Sequence, residues 1–151
     1  MDFCIVIPAR YQSYRLPGKV LMPIGNKTML ERVYDQARKS SAREIVIATD
    51  NEEVKELGER IGASVCMTAE DHLSGTTRIQ EVAQKLRWAD DVIIVNVQGD
   101  EPMLPPRLIQ QVVALLQKNP ESSIATLCTP VTEGRELSDP NCVKVLTNVK
   151  G

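Results

Sequence analysis

Three cations and no acid fall within ten residues of one another: Arg10, Arg15 and Lys19, in the stretch Pro8-Ala9-Arg10-Tyr11-Gln12-Ser13-Tyr14-Arg15-Leu16-Pro17-Gly18-Lys19. A triphosphate carries about four negative charges near neutral pH, and forked guanidinium donors with a point-charge ammonium suit it. Ala9, Ser13 and Gly18 are small, which predicts backbone N–H groups close to phosphate oxygens. The stretch matches neither GxxxxGK[ST] nor GxGxxG, so a Walker-type NTPase and a dinucleotide-binding dehydrogenase both lose ground. The plainer alternative is a solvated basic loop, which the position directly after a strand disfavours.

A second constellation is Val95-Asn96-Val97-Gln98-Gly99-Asp100-Glu101-Pro102. Mg²⁺ takes one or two carboxylates together with phosphate oxygens and water, so Asp100 facing a triphosphate is the expected metal ligand. The bland alternative is that Asp100 or Glu101 caps a helix beginning near Pro105. A third constellation is His72-Leu73-Ser74-Gly75-Thr76-Thr77-Arg78. Ser74 or Thr76 can cap the helix that follows, and Gly75 permits close backbone approach. Arg78 lies in the first turn, where the dipole disfavours a cation, so it calls for an anionic partner. His72 reads as a solvated loop histidine, Asp50 as an N-cap, and Asn141 and Lys144 as residues bordering a strand.

The elements that must position these groups alternate. Strands are expected at 3–8, 44–48, 64–67, 92–97, 123–128 and 143–147. Between them, Thr28 with Glu31 forms a capping box for a helix with the stripe Leu30, Val33, Tyr34 and Ala37. Asp50 with Glu53 starts a second helix, carrying Val54, Leu57 and Ile61 and stopping near Gly62. Ile79, Val82, Ala83 and Leu86 mark a third; Leu108, Ile109, Val112, Val113 and Leu116 mark a fourth. This order implies an α/β fold, a Rossmann-like three-layer sandwich with a mostly parallel sheet. Ligands in such sheets sit beyond the carboxyl ends of the strands, which selects Pro8 to Lys19, Thr49-Asp50, Ala69 to Arg78 and Gln98 to Pro102.

Composition narrows the partners. The chain has 151 residues, expected to form one nucleotide-binding domain over 1–151, with 18 Lys plus Arg against 20 Asp plus Glu. That near-balance and an aromatic content of 3% argue against nucleic acid as partner. No apolar run approaches the roughly 20 residues of a membrane helix, and the opening Met1-Asp2 is not that of a signal peptide. Cys4, Cys66, Cys128 and Cys142 have no CxxC spacing, and the first three sit in apolar surroundings that predict buried reduced thiols. A cytoplasmic location is expected.

At these residues the chain resembles the 3-deoxy-manno-octulosonate cytidylyltransferase (CMP-Kdo synthetase) family, of the nucleotide-diphospho-sugar transferase type. The resemblance rests on Ile7 to Arg10, Arg15 to Lys19, Ala48-Thr49-Asp50, His72 to Arg78, Val95 to Pro102 and Asp139 to Val145, in order and spacing. It implies transfer of CMP from CTP to 3-deoxy-D-manno-octulosonate (Kdo), giving CMP-Kdo and pyrophosphate for lipopolysaccharide, with Mg²⁺ as cofactor. Within that pattern Arg10, Arg15 and Lys19 hold the triphosphate and Ser13 supports their loop. Ala9, Ser74, Arg78 and Gln98 lie around the nucleotide, Asp100 binds the metal, and Lys19, Asp100 and Arg10 form the catalytic set. Thr77 stands where the family usually has an acid. The family continues past Gly151 with a second metal-binding aspartate, most of the sugar pocket and the contacts of a homodimer. The competing readings are a CMP-sialate synthetase or other sugar nucleotidyltransferase, and a nucleotide-binding fragment without turnover.

Overall fold

Phe3–Pro8 (β1) is buried along its whole length, as its unbroken apolar run requires of a strand covered on both faces. The computed structural model describes residues 2–12 and 16–147. After β1 the chain passes a 3₁₀ turn at Lys19–Leu21 and a small antiparallel hairpin, Pro23–Ile24 (β2) with Lys27–Thr28 (β3). The hairpin delivers the chain to Met29–Ala37 (α1). The expected capping box is formed there: Thr28 Oγ1 accepts from Glu31 N–H at 3.2 Å, and Thr28 N–H donates to Glu31 Oε2 at 2.6 Å.

Glu44–Thr49 (β4), Glu52–Arg60 (α2), Ser64–Met67 (β5), Gly75–Lys85 (α3), Ile93–Asn96 (β6), Pro106–Lys118 (α4) and the short Gly134–Ser138 (α5) follow. The main sheet has the order β5-β4-β1-β6 and every pairing is parallel. Val6 is opposite Val46 on one side and Asn96 on the other.

Alternation along β1 sorts the core into two layers. Phe3, Ile5 and Ile7 pack with Leu30 and Val33 of α1, Val54 and Leu57 of α2, and Ile109 and Val113 of α4. Val6, on the opposite face, packs with Val46, Ala48, Cys66 and Val82 of α3, backed by Ile79 and Trp88. Three helices therefore cover one face and α3 the other, which is the expected α/β sandwich. Truncating a fully buried side chain such as Ile5 to Ala would cost about 2–5 kcal/mol.

Four of the six expected strands are present. The two expected at 123–128 and 143–147 are not: neither segment carries a ladder. Ile124, Val143 and Leu146 are more than four-fifths exposed. Their β-branched composition suits a strand, but a strand exists only where backbone groups meet a partner. Residues 123–127 instead run along an open cavity of about 530 Å³ walled by β6 and α4. Cys4 and Cys66 are buried as expected and burial raises both thiols, but Cys128 is exposed.

The second helix also begins differently. Asn51, not Asp50, is its N-cap, accepting from Val54 N–H at 3.1 Å.

Candidate functional site

β1 and β6 are neighbours in the sheet, yet the chain leaves β1 toward α1 and β4 on the other side. Between the carboxyl ends of β1 and β6 lies the point where the strand order reverses, the place such sheets leave for a ligand. A crevice of about 310 Å³ opens there. Its walls include Pro8 and Arg10 from the end of β1, Lys19 from the returning loop, Ser74 and Gly75 from the start of α3, and Gln98 to Asp100 beyond β6.

Two glycines shape it. Val97 N–H donates to Val6 O at 3.0 Å and Gly99 N–H to Pro8 O at 3.3 Å, so the β1–β6 pairing continues past the strand. A Cβ on Gly99 would stand 2.8 Å from Pro8 O, a distance no side chain tolerates without moving backbone. Gly18 adopts the left-handed conformation, φ 68°, and its N–H donates to Tyr11 O at 2.8 Å. That contact brings Gly18 back to Tyr11, and Lys19 and Arg10 line the same crevice.

Inside the crevice Lys19 Nζ donates to Asp100 Oδ2 at 2.5 Å, with the two side chains 31% and 43% exposed. Gln98 Nε2 donates to Asn96 Oδ1 at 3.0 Å. Ser74 Oγ accepts from Thr77 N–H at 3.2 Å and so caps α3, while a Cβ on Gly75 would lie 3.6 Å from both Pro8 and Gln98. The amino end of α3, with its orphan N–H groups and positive dipole end, thus borders the same space as Arg10 and Lys19. A cationic crevice with one carboxylate and a helix amino end is suited to a polyanion accompanied by a divalent cation.

Of the residues expected at the site, the structure brings together Arg10, Lys19, Ser74, Gln98 and Asp100. Ser13 and Arg15 lie outside the described residues. Three expectations are corrected. Ala9 is buried and its N–H donates to Ala48 O at 2.9 Å, and the Gly18 N–H is likewise used, so neither amide is free for phosphate. Arg78 does not face the crevice. Its side chain is fully buried under the sheet's carboxyl edge, where it donates to Asp50 Oδ2 at 2.6 Å and to Thr68 Oγ1. The anion that its first-turn position demands is therefore Asp50, from the end of β4. Arg78 Nε has no hydrogen-bond partner among the described residues. His72 is not a solvated loop residue: Nε2 meets Glu81 and Nδ1 lies 3.1 Å from Thr77 Oγ1.

Neither Asp100 nor Glu101 caps α4, whose N-cap is Pro105 without a side-chain bond. Among the described residues no group of three or more His, Cys, Asp or Glu side chains converges as a metal cage. The Arg78–Asp50 pair, the Glu81 cluster and the steric role of Gly99 were missed from sequence. Two local signals existed: the first-turn place of Arg78, which called for an anion without naming it, and Gly99, a glycine directly after the apolar strand.

This fold and crevice define an α/β protein of Rossmann-like type with an open crevice at its β1/β6 reversal. The chain belongs to the cytidylyltransferase family, whose sequence pattern matches residues 4–151. It is 50% identical over 151 residues to a 3-deoxy-manno-octulosonate cytidylyltransferase of Saccharophagus degradans, covering all of this chain and 59% of that protein. It is 51% identical over 142 residues to the enzyme so named in Francisella philomiragia, covering 94% of this chain and 57% of that one. Among solved structures it resembles CMP:2-keto-3-deoxy-manno-octonic acid synthetase complexed with CTP, with a TM-score of 0.72 and 38% identity. That likeness covers 79% of this chain and 48% of the other. The chain thus spans a little under three-fifths of the length of these curated relatives.

Proposed function

We propose that this chain is the nucleotide-binding part of a cytidylyltransferase that activates Kdo with CTP, releasing CMP-Kdo and pyrophosphate. The observation that carries the reading is the meeting of Lys19 and Asp100 at the β1/β6 reversal, in a chain similar to a synthetase that binds CTP. Similarity along at least 94% of this chain to two proteins named for 3-deoxy-manno-octulosonate supports that sugar over sialate.

In this reading a sugar hydroxyl oxygen attacks the α-phosphorus of CTP, the bond from that phosphorus to the bridging oxygen breaks, and pyrophosphate leaves. The hydroxyl proton passes to solvent. Arg10 and Lys19 neutralise the triphosphate and hold it in line, which is where the catalytic gain of such a site arises. Gln98 and Ser74, which both line the crevice, offer an amide and a hydroxyl to the nucleotide. Arg15 and Ser13 join them in the proposal through the resemblance of their loop.

Mg²⁺ is part of the reading. Asp100 is the one carboxylate among the described residues lining the crevice, and a single carboxylate fits this ion when phosphate oxygens complete its shell. Bound there, the cation would neutralise phosphate charge and favour ionisation of the attacking hydroxyl. CTP and Kdo as substrates, a homodimer for the full-length protein and a cytoplasmic location belong to the same proposal.

The test is CTP binding by calorimetry beside a turnover assay with CTP and Kdo. Saturable CTP binding by this chain, and product from the full-length protein, are expected. Binding without product in the full-length protein would support a nucleotide-binding module instead. Absence of CTP binding by both would reject the proposal.

A further inference from the structure

α3 lies on its face of the sheet through Ile79 and Val82, apolar side chains that pack with Val6, Val46 and Ala48. Its amino end is a wall of the crevice, through Ser74 and Gly75. The hydrophobic attraction behind the packing is non-directional, so it selects the face that α3 buries more sharply than the helix's position along the strands. The crevice needs the second as well. A Cβ on Gly75 would already lie 3.6 Å from Pro8 and from Gln98, and a displacement of about 1 Å is enough to spoil a binding geometry.

A buried polar cluster under the same turn supplies direction. Arg78, four positions after Ser74, is the largest fully buried side chain of the chain's described residues. Its Nη2 donates to Asp50 Oδ2 at 2.6 Å and its Nη1 donates to Thr68 Oγ1. Thr68 N–H and Thr68 Oγ1 both donate to Thr49 O, at 2.8 and 3.2 Å. Thr49 and Thr68 are buried with it. One guanidinium thus reaches the chain just past β4 and just past β5, and the Arg78 backbone N–H runs back to Ser74 O at 3.4 Å.

A buried ion pair is a poor source of net stability, since apolar side chains of similar volume often serve as well. What a guanidinium gripped by two separate acceptors does supply is geometry, because its donors are fixed in one plane. We propose that Asp50 and Thr68 are positioning residues for the crevice. By holding the Arg78 guanidinium they fix α3 along the strand direction and so place Ser74 and Gly75 against the bound nucleotide. This rests on the reading of the crevice as a nucleotide site. Neither residue lines the crevice, so both act through Arg78.

Thr68→Val keeps the volume and the backbone bond to Thr49 O but removes the acceptor for Arg78, and Thr68→Ser keeps the hydroxyl. Backbone amide shifts of this chain and CTP affinity by calorimetry are the readouts, with urea midpoints beside them. In Thr68→Val the Ser74 and Gly75 amides should move and CTP affinity should fall about fivefold, the equivalent of one net hydrogen bond. Thr68→Ser should restore both. Asp50→Asn combined with Arg78→Met removes the buried charges together. It should regain part of the urea midpoint lost in Asp50→Asn alone while CTP affinity stays lowered, a separation that a merely structural pair would not show. Unmoved amides with unchanged affinity in Thr68→Val, or affinity that recovers in step with the midpoint in the double variant, would overturn the proposal. If CTP does not bind the unmodified chain, the nucleotide reading fails, and the Ser74 and Gly75 amides in Thr68→Val and Thr68→Ser alone decide whether the cluster sets the crevice wall.

Discussion

Lys19 and Asp100, 81 positions apart in sequence, close on each other at 2.5 Å across the mouth of the β1/β6 crevice. The side chains are 31% and 43% exposed, and such pairs contribute at most about 1 kcal/mol to stability. The pair does little for the fold, so it is easily exchanged. A triphosphate would take Lys19 and a divalent cation Asp100, each releasing the other's partner.

Asp100→Asn should therefore strengthen metal-free CTP binding, because it frees Lys19 and removes a negative charge facing the phosphates. Calorimetry in chelator is expected to show affinity level or improved by a few-fold. The full-length variant should lose most turnover and need more Mg²⁺ for the remainder. Unchanged Mg²⁺ demand with activity that climbs steeply with pH would point to a proton-transfer role instead.

Lys19→Ala removes the ammonium that faces both Asp100 and the proposed triphosphate. In the full-length protein turnover should drop by roughly two to three orders of magnitude, the scale for one preorganised donor. Thermal stability should barely move, given the exposure of the pair. Wild-type turnover in this variant would reject the assignment.

The Arg78–Asp50 pair is the opposite case. Arg78 is fully buried and Asp50 is 13% exposed, and together they tie α3 to the end of β4. Asp50→Asn leaves an uncompensated cation inside, at a cost of about 3–5 kcal/mol. Urea titration should show the midpoint fall at constant slope. Adding Arg78→Met should recover part of that loss, and strictly additive losses would show that the two side chains are not coupled.

What was legible in the sequence and what was not divides along the range of the interactions. The Thr28–Glu31 box, the α1 stripe and the apolar runs of β1 and β4 are local patterns, and each forms as read. That Arg10 and Lys19 would line one crevice with Gln98 to Asp100 was legible because a parallel sheet must bring strand ends together. Segments 123–128 and 143–147 were misread because strand propensity does not supply a ladder partner. Arg78 was misassigned because its anion is a protein carboxylate 28 positions earlier, which no local spacing reveals. The Ala9 N–H was assigned to phosphate for a similar reason: its acceptor, Ala48 O, lies on a different strand.

Gly99→Ala tests whether the crevice depends on close backbone approach. The added methyl meets Pro8 O and Ala9 Cα, both main-chain atoms that cannot rotate away. Separating the ends of β1 and β6 should cost about 1–3 kcal/mol, the usual price of overpacking, and should move Asp100 relative to Lys19. A lowered urea midpoint together with weaker CTP binding is expected. Full stability and full binding would show that the approach relaxes freely.

Glu81 makes the acid limb of the stability curve a readout of the α3 cluster. Its folded pKa of about 2 lies below the ordinary carboxylate value of 4.5, chiefly through Lys85, then His72 and the Ala69 N–H. A depressed carboxylate stabilises the fold fully above its unfolded pKa, and that contribution is lost as pH falls from about 4.5 toward 2. Allowing for solvent screening of a side chain that is 20% exposed, the amount is on the order of 1–3 kcal/mol. Glu81→Gln cannot titrate, so it should be less stable than wild type at pH 7 by that amount. The difference should shrink steadily between pH 4.5 and 2. Urea midpoints of the two chains at pH 7, 4.5 and 3 measure it. A gap that stays constant across those three values would show that the Glu81 carboxylate is no better held in the folded chain than in the unfolded one.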